Sequence, residues 1–333
     1  MTVEAKGSQS RGSSHRWSLA GIIALSAILA APTAEPGPAK LRLVLFWTPQ
    51  SQFAGYYMAK EKGFYAQRGI EVEIIRGGPD RDPVKFLEEG KADFAVLWLT
   101  SALSSLDRGV PLAHVAQVFN SSNLAIVGWK ERGVNDIRDL EGRRVSVWGE
   151  PYRPALSAFF KSKKLSPAIV PQYYTVNLFL RRGVDACTVM YYNEYHVLYQ
   201  SGIDASQLST FFLRDHGIDF PEDGIYCLRA TRDRSPETCR ALREATLEGW
   251  KYASEHPDET LDVVMKHVNE AKLPTNRTHM QWMLTAVLSS VFPAKESAWK
   301  PGGLSQTSYE QATRWLLELG QLKAAPTYEE FTR

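Results

Sequence analysis

The stretch GKADFAVLW, residues 90–98, and its echo GVDACTVMY, residues 183–191, decide the predicted fold. In each stretch a Gly that ends a helix precedes a short apolar run typical of a buried strand, and the run ends in an aromatic residue. LRLVLFW (41–47) and RRVSVW (143–148) repeat this arrangement. Two similar sets of strands in one chain predict two α/β lobes of related topology.

The alternation of short apolar runs with helical segments sets the domain organisation. This rhythm is typical of parallel sheets with helical crossovers. NLAIVGWKERGVNDIRDLEG (123–142) is interpreted as the stretch that separates two such series, and GIYCLRAT (224–231) as a strand that returns to the first unit, because helical segments follow it. We therefore expect residues 40–126 and 224–333 to form lobe 1 and residues 127–223 to form lobe 2.

The N-terminus has the three-part pattern of an export signal. Arg11 and Arg16 precede the apolar run WSLAGIIALSAILAA (17–31), which is shorter than a membrane-spanning helix requires. We expect residues 1–34 to be a signal peptide and the protein to be periplasmic. An uncleaved N-terminal membrane anchor is the alternative, because Pro32 interrupts the best cleavage site.

The charge balance argues against nucleic-acid binding. The chain has 39 Lys and Arg against 37 Asp and Glu, and removing residues 1–34 takes away three basic residues and one acidic residue, which leaves the two signs equal in number. A nucleic-acid binder needs a basic excess or stripe to displace counterions. The sequence shows no such cluster.

The sequence lacks the motifs of common catalytic and cofactor sites. Its three cysteines, Cys187, Cys227 and Cys239, are widely spaced, which excludes a disulfide framework and a metal-ligand pattern but leaves one bridge open. No phosphate-binding Gly loop, G-x-S-x-G elbow, dinucleotide fingerprint or H-E-x-x-H pattern is found. We therefore expect a protein that is not an enzyme and that holds no metal and no cofactor.

Four aromatic residues mark the carboxyl ends of predicted strands: Trp47, Trp98, Trp148 and Tyr191. Ligands of open parallel sheets bind outside these strand ends, so the rings are expected to converge on one cleft between the lobes. Any one ring taken alone is better explained as a side chain that fills the hydrophobic core. The repetition over four strands is what favours a cleft.

Polar residues beside these strand ends are further candidates. Gln50 and Gln52 offer donors and acceptors to a ligand, or else cap the helix that begins nearby. Tyr56 and Tyr57 lie on adjacent faces of that helix, so at most one reaches the cleft, and Tyr57 is taken as the candidate. Thr100, at a predicted helix start, is either an N-cap or a ligand contact.

WGEPYRP (148–154) distinguishes between ligand classes. A strand-to-helix turn of this kind holds an anion when backbone N–H groups and the helix dipole face it. Glu150 would repel an anion there unless Arg153 turns inward, so a neutral or cationic ligand is expected. The alternative is that Glu150 caps the helix starting at Pro151.

CTVMYYNEYH (187–196) gives the last two candidates. MYY is predicted to leave the second lobe as a strand, so that Asn193 and Glu194 open the next helix. The helix macrodipole stabilises an acidic residue at a helix start by about 0.3 to 1 kcal/mol. A purely structural Glu194 is therefore the alternative to a ligand contact.

Longer stretches of the chain resemble a family of transport proteins. WTPQSQFAGYYMAKEKGFYAQRGIEVEIIRGGPD (47–80) is similar to the pattern of the NMT1/THI5-like substrate-binding proteins of ABC importers, and the similarity continues through KADFAVLWLTSAL (91–103), DIRDLEGRRVSVWG (136–149) and MYYNEY (190–195). The resemblance implies an α/β, type II periplasmic-binding-protein fold whose two lobes close on a small-molecule ligand in the cleft between them. It also implies that the protein presents the ligand to an ABC permease in the inner membrane, and we expect the protein to be a monomer.

Family members that bind thiamine-pyrimidine precursors look most similar at Trp47 with Gln50, and at Asn193 with Glu194. The resemblance implies that aromatic rings sandwich a flat heterocycle and that a carboxylate accepts hydrogen bonds from its amino and ring N–H groups. Gln50 replaces the commoner Asn, and Gln52 stands where those relatives often have His. We therefore expect a thiamine-pyrimidine-like ligand first, and another aromatic nutrient such as a flavin next.

Three alternative functions follow from related proteins. An alkanesulfonate, taurine or nitrate carrier is disfavoured by Glu150 and Glu194. A THI5-like enzyme of pyrimidine-precursor synthesis, with an active-site His and a Lys that holds pyridoxal phosphate, is disfavoured by the export signal and by the missing Cys-rich motif, since only Cys187 lies near the corresponding region. A ligand-sensing module that reports to a membrane partner has the same sequence features as an importer component.

Overall fold

The computed structural model describes residues 38–293 and 301–333 of the chain. The expected signal or anchor segment at residues 1–34 lies outside these residues. Within them, every helix falls short of the length or the hydropathy that a bilayer crossing requires. All three cysteines lie in the described part of the chain and are free and buried.

Ten strands form within the described residues, and the central ones are short, apolar and buried, as the sequence pattern predicts. They are β1 (Ala39–Val44), β2 (Ile70–Ile75), β3 (Phe94–Leu97), β4 (Leu112–Gln117), β5 (Leu124–Trp129), β6 (Arg144–Trp148), β7 (Ala168–Gln172), β8 (Ala186–Met190), β9 (Leu208–Phe212) and β10 (Gly224–Leu228).

The strands form two five-stranded sheets that share one arrangement. The first has the order β2-β1-β3-β10-β4 and the second has the order β7-β6-β8-β5-β9. In each sheet the first three strands are parallel, and the fourth, β10 or β5, is antiparallel to its neighbours. β1 and β3 thus correspond to β6 and β8, which is the correspondence that the echoed sequences predict.

Helices connect these strands and cover the sheets. Asp82, for example, caps the second helix, because its Oδ1 accepts a hydrogen bond from Val84 N at 2.9 Å. The helices of the described residues are α1 (Ala54–Glu61), α2 (Pro83–Glu88), α3 (Leu99–Asp107), α4 (Arg153–Lys163), α5 (Asn177–Leu180), α6 (Glu194–Gln200), α7 (Arg229–Arg234), α8 (Pro236–Glu255), α9 (Pro257–Glu270), α10 (Arg277–Val291), α11 (Gln306–Glu318) and α12 (Tyr328–Thr332).

The start of residues 123–142 is a strand, which corrects the interpretation of this stretch as a separator. β5 is fully buried and pairs antiparallel with β8 and β9 of the second sheet. No helix precedes β5, so the alternation of strands and helices does not reveal it. The sheets are consequently mixed rather than parallel throughout.

The chain crosses between the two sheets twice. The predicted return strand at residues 224–231 is confirmed by β10 in the first sheet, although that strand ends at Leu228. The lobe boundaries remain a proposal: the boundary at 126 and 127 falls within β5, and sheet membership favours a first crossing between Gln117 and Leu124.

Glu222 links the two segments that cross between the sheets through hydrogen bonds. It is fully buried in the segment that leads from β9 to β10. Its Oε1 accepts hydrogen bonds from Asn123 N at 2.6 Å and from Ser122 Oγ at 2.9 Å, both in the segment that leads from β4 to β5. Burial raises the pKa of Glu222 to about 8 against the effect of these hydrogen bonds. Hydrogen bonds therefore join the two segments that cross between the sheets.

A close pair of helices, α1 and α8, packs beside the first sheet. Gly55 of α1 faces the ring of Trp250, and a methyl group placed on Gly55 would lie 2.2 Å from the indole. Gly249 of α8 is packed as closely, since a Cβ added to it would lie 2.1 Å from the Gly55 carbonyl oxygen. The Ala-Gly pair at residues 54 and 55 therefore serves the packing of the two helices.

Candidate functional site

Several predicted site residues surround one small cavity, which we call the inner chamber. Its volume is about 20 Å³. A cavity of this size holds about one water molecule, so the chamber must widen to admit an organic ring. The lining residues are Phe46, Trp47, Gln50, Gln52, Trp148, Tyr152, Tyr174, Met190, Tyr192, Asn193 and Glu194.

The carboxyl ends of three parallel strands position these residues. Trp47 lies just beyond β1, and Trp148 is the last residue of β6. Asn193 and Glu194 follow β8 and open α6. Since the carboxyl ends of parallel strands meet at one sheet edge, two similar sheets facing each other bring these residues together from both lobes.

Aromatic rings from both lobes form the chamber walls. The rings of Trp47 and Tyr174 lie 4.8 Å apart between centroids, and those of Trp148 and Tyr152 lie 4.9 Å apart. Aromatic pairs attract at such separations, beyond the effect of burial alone. A flat ligand that enters the chamber exchanges these contacts between rings for contacts with its own faces.

Glu194 is the carboxyl group of the inner chamber. Its Oε1 accepts a hydrogen bond from Asn193 Nδ2 at 2.9 Å, and its Oε2 accepts one from the Met190 N–H at 3.0 Å. Each oxygen keeps a lone pair for a ligand. Although the residue is only partly shielded from solvent, the desolvating protein around the carboxyl raises the pKa of Glu194 to about 7, against the lowering effect of the two hydrogen bonds.

A chain of hydrogen bonds supports the two glutamines. Gln50 Nε2 donates to Gln52 Oε1 at 2.6 Å, and Gln52 Nε2 donates to Asp223 Oδ2 at 2.7 Å. The side chain of neither glutamine caps the helix that begins nearby. The structure therefore contradicts the capping alternative and fixes both amides in the chamber wall.

Asp223 is a functional candidate that the sequence reasoning missed. It is 1% exposed, and burial raises its pKa to about 7 despite the hydrogen bond from Gln52 and the nearby indole N–H of Trp98. Because β10 is antiparallel to β3, the amino end of β10 lies at the edge where β3 ends, and Gly224 pairs with Leu97. The sequence analysis considered only the carboxyl ends of parallel strands. Residues at the amino end of an antiparallel strand lie at the same sheet edge, and including them would have found Asp223.

A larger cavity of about 560 Å³, which we call the outer chamber, adjoins the inner one. Glu150 lines it, at an exposed position; desolvation raises the pKa of this carboxyl, and Arg153 and Arg108 oppose that effect. Glu150 does not cap the next helix, since α4 begins at Arg153. A substituent on a ring in the inner chamber has room here, because the two chambers share the side chains of Phe46, Trp47, Tyr152 and Tyr174.

Tyr191 lies outside both chambers, which corrects the expectation that it faces the cleft. β8 ends at Met190, and residues 191–193 form a turn in which Asn193 N donates to Met190 O at 3.0 Å. Met190 and Tyr192 line the inner chamber, whereas Tyr191 packs against Trp282 at 5.3 Å between ring centroids. Tyr192 holds the place that was expected of Tyr191.

Trp98, Thr100 and Tyr57 are likewise not brought into either chamber. Trp98 is 2% exposed and lies one layer behind the inner chamber, in edge-to-face contact with Tyr152 at 4.8 Å. Thr100 is buried in the first turn of α3 and is not its N-cap. Tyr57 stacks on His267 at 4.1 Å between ring centroids. All three are core residues in this structure.

Comparison with known proteins identifies the relatives of this chain. The NMT1/THI5 like family profile matches residues 50–260. The chain is 25% identical over 289 residues to the formylaminopyrimidine-binding protein of Halalkalibacterium halodurans, and this alignment covers 83% of this chain and 84% of the relative. It is also 25% identical over 260 residues to the riboflavin-binding protein RibY of Chloroflexus aurantiacus, and this second alignment covers 73% of this chain and 72% of the relative.

Two further similarities concern an enzyme and a solved structure. A 4-amino-5-hydroxymethyl-2-methylpyrimidine phosphate synthase of Schizosaccharomyces pombe is 25% identical over 39% of this chain and 37% of its own length. The periplasmic aliphatic sulphonate binding protein SsuA from Escherichia coli matches with a TM-score of 0.66 at 12% identity, over 89% of this chain and 97% of that chain. At this identity the structural match shows the fold, which is the two-lobed α/β fold of periplasmic binding proteins.

Proposed function

Since the chain belongs to the NMT1/THI5-like family, we propose that it is the periplasmic solute-binding component of an ABC importer for a flat nitrogen heterocycle, with aminopyrimidine precursors of thiamine as the first candidates. The observation that carries this proposal is the inner chamber, in which aromatic rings from both lobes enclose the Glu194 carboxyl. The ring nitrogens of a neutral aminopyrimidine only accept hydrogen bonds, so the donors that it offers to a carboxylate are its amino N–H groups and the O–H or N–H of a neighbouring substituent.

The names of two relatives support the same ligand class. One binds a formylaminopyrimidine and the other binds riboflavin. Both ligands are flat nitrogen heterocycles, and both carry substituents for which the outer chamber, at about 560 Å³, has room. Flavins are therefore the second ligand class that we propose.

An anionic ligand of the sulfonate or nitrate type fits the inner chamber poorly. Among the described residues that line it, Glu194 carries a carboxyl group and none is Lys or Arg. Asp223 adds a second carboxyl group directly behind Gln52. An anion placed here would face like charges without a neutralising cation, which costs binding free energy in a poorly solvated site.

We also propose that the protein binds its ligand without converting it, as a monomer that delivers it to a membrane permease. Because a pyrimidine phosphate synthase is among the relatives, turnover has to be measured directly. The full-length chain incubated with pyridoxal phosphate should show neither the absorbance of the bound cofactor nor a pyrimidine product. Light scattering should give the mass of one chain.

A thermal-shift screen of the full-length chain tests the ligand class. The panel contains 4-amino-5-hydroxymethyl-2-methylpyrimidine, riboflavin, taurine and nitrate. We expect the pyrimidine, or else the flavin, to raise the unfolding temperature and to change the tryptophan fluorescence, because Trp47 and Trp148 line the inner chamber. Stabilisation by taurine or nitrate alone would show that the heterocycle proposal is wrong.

A further inference from the structure

A row of four hydrogen-bonded side chains runs from the inner chamber into the helix behind it. Glu194 Oε1 accepts from Asn193 Nδ2 at 2.9 Å, and Asn193 Oδ1 lies 2.9 Å from His279 Nε2. His279 Nδ1 in turn lies 2.8 Å from His196 Nδ1. Sequence reasoning found the first two residues of this row but neither histidine.

Both imidazoles are held firmly by their neighbours. His279 lies in the first turn of α10, where Asn276 Oδ1 accepts a hydrogen bond from its backbone N–H at 2.9 Å. His196 lies on α6 and stacks on Trp282 with the ring planes 10° apart. The Trp282 indole N–H donates to Tyr191 O at 3.0 Å. The row therefore joins α6, which follows strand β8 of the second sheet, to α10, which packs against α9.

The chemistry of the four groups fixes the protons along the row. The Asn193 amide nitrogen only donates, so beside an ionised Glu194 it is the nitrogen that faces the carboxylate. Its oxygen only accepts, so His279 Nε2 carries a proton. A neutral imidazole has one N–H, so His279 Nδ1 is an acceptor and His196 Nδ1 carries the proton between the two rings.

Protonation of Glu194 favours the reverse arrangement. A carboxylic acid that donates through Oε1 needs the Asn193 amide oxygen, so the amide turns over and its nitrogen faces His279. His279 Nε2 must then accept, and both histidines exchange their tautomers. The histidine pair and the protonation state of Glu194 are therefore coupled through one amide group.

We infer that His279, oriented by His196, is a positioning residue that holds Asn193 with its nitrogen toward Glu194 and thereby keeps Glu194 ionised and acceptor-only. The pair then selects ligands that present two adjacent donors, such as the amino N–H and the neighbouring hydroxymethyl O–H of 4-amino-5-hydroxymethyl-2-methylpyrimidine. This inference rests on the proposed function for the identity of the ligand, whereas the hydrogen-bond row is a property of the protein without ligand.

The electrostatic surroundings agree with neutral histidines and a poised carboxyl group. Burial and the adjacent His196 lower the pKa of His279 to about 4, and burial lowers the pKa of His196 as well. Burial raises the pKa of Glu194 to about 7, so the loss of one hydrogen-bond donor is enough to favour its protonated form near neutral pH. The titratable groups whose charges interact with Glu194 have pKa values raised by burial and are neutral there: Tyr152, Tyr192 and Cys187.

NMR spectroscopy of the histidine rings tests the row without any ligand. In the full-length chain labelled with ¹⁵N-histidine, long-range correlations distinguish the two neutral tautomers, and the variants His279→Gln and His196→Gln assign the signals. At about pH 8, above the pKa of Glu194, we expect the Nε2–H tautomer for His279 and the Nδ1–H tautomer for His196. The opposite tautomer of His279 there would overturn the inference.

Ligand binding tests the consequence, with 4-amino-5-hydroxymethyl-2-methylpyrimidine as the probe in titration calorimetry. His279→Ala removes the donor to Asn193 and should raise the pKa of Glu194 by about one unit. The ionised fraction at about pH 7 then falls from about one half to about one tenth, so affinity there should fall about fivefold. At about pH 9 affinity should change less than about twofold, because the carboxyl group is ionised in both proteins. His279→Gln supplies an amide donor and should restore most of the affinity at pH 7.

His256→Ala is the matched control, since His256 is exposed and lies between α8 and α9. It should bind as the wild type does at both pH values. An equal loss of affinity at both values for His279→Ala, or no rescue by His279→Gln, would show that His279 has only a structural role. If the wild type binds neither the pyrimidine nor riboflavin at any pH, the proposed function is wrong, and the histidine tautomers alone then test the inference.

Discussion

The rings of Trp47 and Tyr174 lie 4.8 Å apart between centroids, although Trp47 follows β1 of the first sheet and Tyr174 follows β7 of the second. Both residues line the inner chamber, whose volume is about 20 Å³. A ligand ring can enter only when such walls separate. The two sheets' strand-end residues are therefore in contact at the inner chamber, and any opening of the lobes must part this pair of rings.

Removal of the Tyr174 ring should weaken ligand binding with little effect on folding. Tyr174 is 50% exposed, so Tyr174→Ala should leave the unfolding temperature of the free protein nearly unchanged. A lost ring contact costs about 0.5 to 1.5 kcal/mol, and affinity for the pyrimidine should therefore fall about twofold to tenfold in calorimetry.

Tyr173→Ala is the control for this variant. Its side chain is 80% exposed, and its carbonyl oxygen, which accepts from Trp148 Nε1 at 3.1 Å, is kept in the variant. It should bind the pyrimidine as tightly as the wild type. The same loss of affinity in both variants would contradict a specific role for the Tyr174 ring.

Glu194→Gln should lower affinity for the pyrimidine about tenfold to a hundredfold. One acceptor becomes a donor, and a hydrogen bond to a charged group is worth about 1.5 to 3 kcal/mol. The unfolding temperature of the free protein should be nearly unchanged, because Gln has the same shape and its amide oxygen can still accept the hydrogen bond from the Met190 N–H. Glu88→Gln, at an exposed position of α2, is the control and should bind normally. Equal affinity in the two variants would show that Glu194 does not bind the ligand and serves only at the start of α6.

The free protein should lose stability as pH rises from about 6.5 to about 8. Burial raises the pKa of Glu194 and of Asp223 to about 7 and that of Glu222 to about 8. Unfolded carboxyl groups have lost their protons by about pH 5, so the folded state binds more protons in this window and its free energy of unfolding falls with pH. The buried histidines His114, His196 and His279 have lowered pKa values and act in the opposite direction, but their effect fades as pH rises above the unfolded pKa of about 6.5.

Calorimetric unfolding at the two ends of that window measures this effect. The unfolding temperature of the wild type should be lower at the higher pH. Asp223→Asn removes one of the titrating groups and should flatten the dependence. A wild-type unfolding temperature that rises over this range would show that these carboxyl groups are ionised in the folded protein.

Gly55→Ala should destabilise the fold. The new Cβ would lie 2.2 Å from the Trp250 ring, so α1 and α8 must separate. Overpacking of this kind costs about 1 to 3 kcal/mol in the free energy of unfolding. Gly149→Ala is the control, since a Cβ there meets no atom within 4 Å. Denaturant titration of both variants checks the difference, and equal midpoints would contradict the close packing.

Much of the architecture follows from repeated local patterns in the sequence. The echo between residues 90–98 and 183–191 predicts β3 and β8, which hold equivalent places in two similar sheets. The strand-end rule places Trp47 and Trp148 in the inner chamber. The sequence does not reveal β5, because an antiparallel strand that follows a crossing has no helix before it to mark the alternation.

The rest of the candidate site depends on side-chain direction and on contacts far apart in the chain. The turn that follows β8 decides that Tyr192 and not Tyr191 lines the chamber. Asp223 and His279 reach the site through residues that lie 171 and 86 positions away, Gln52 and Asn193. Such partners have no local signal in the sequence.

Titration calorimetry of the full-length wild-type chain with 4-amino-5-hydroxymethyl-2-methylpyrimidine and its 4-dimethylamino analogue is the most direct measurement of ligand recognition. The analogue keeps the flat ring but lacks the amino donor for Glu194. We predict one-to-one binding of the pyrimidine, with an affinity for the analogue that is lower by about tenfold or more, because about 1.4 kcal/mol corresponds to each decade. Equal affinity for the two compounds, or heat of binding with taurine or nitrate alone, would contradict recognition of a nitrogen heterocycle by Glu194.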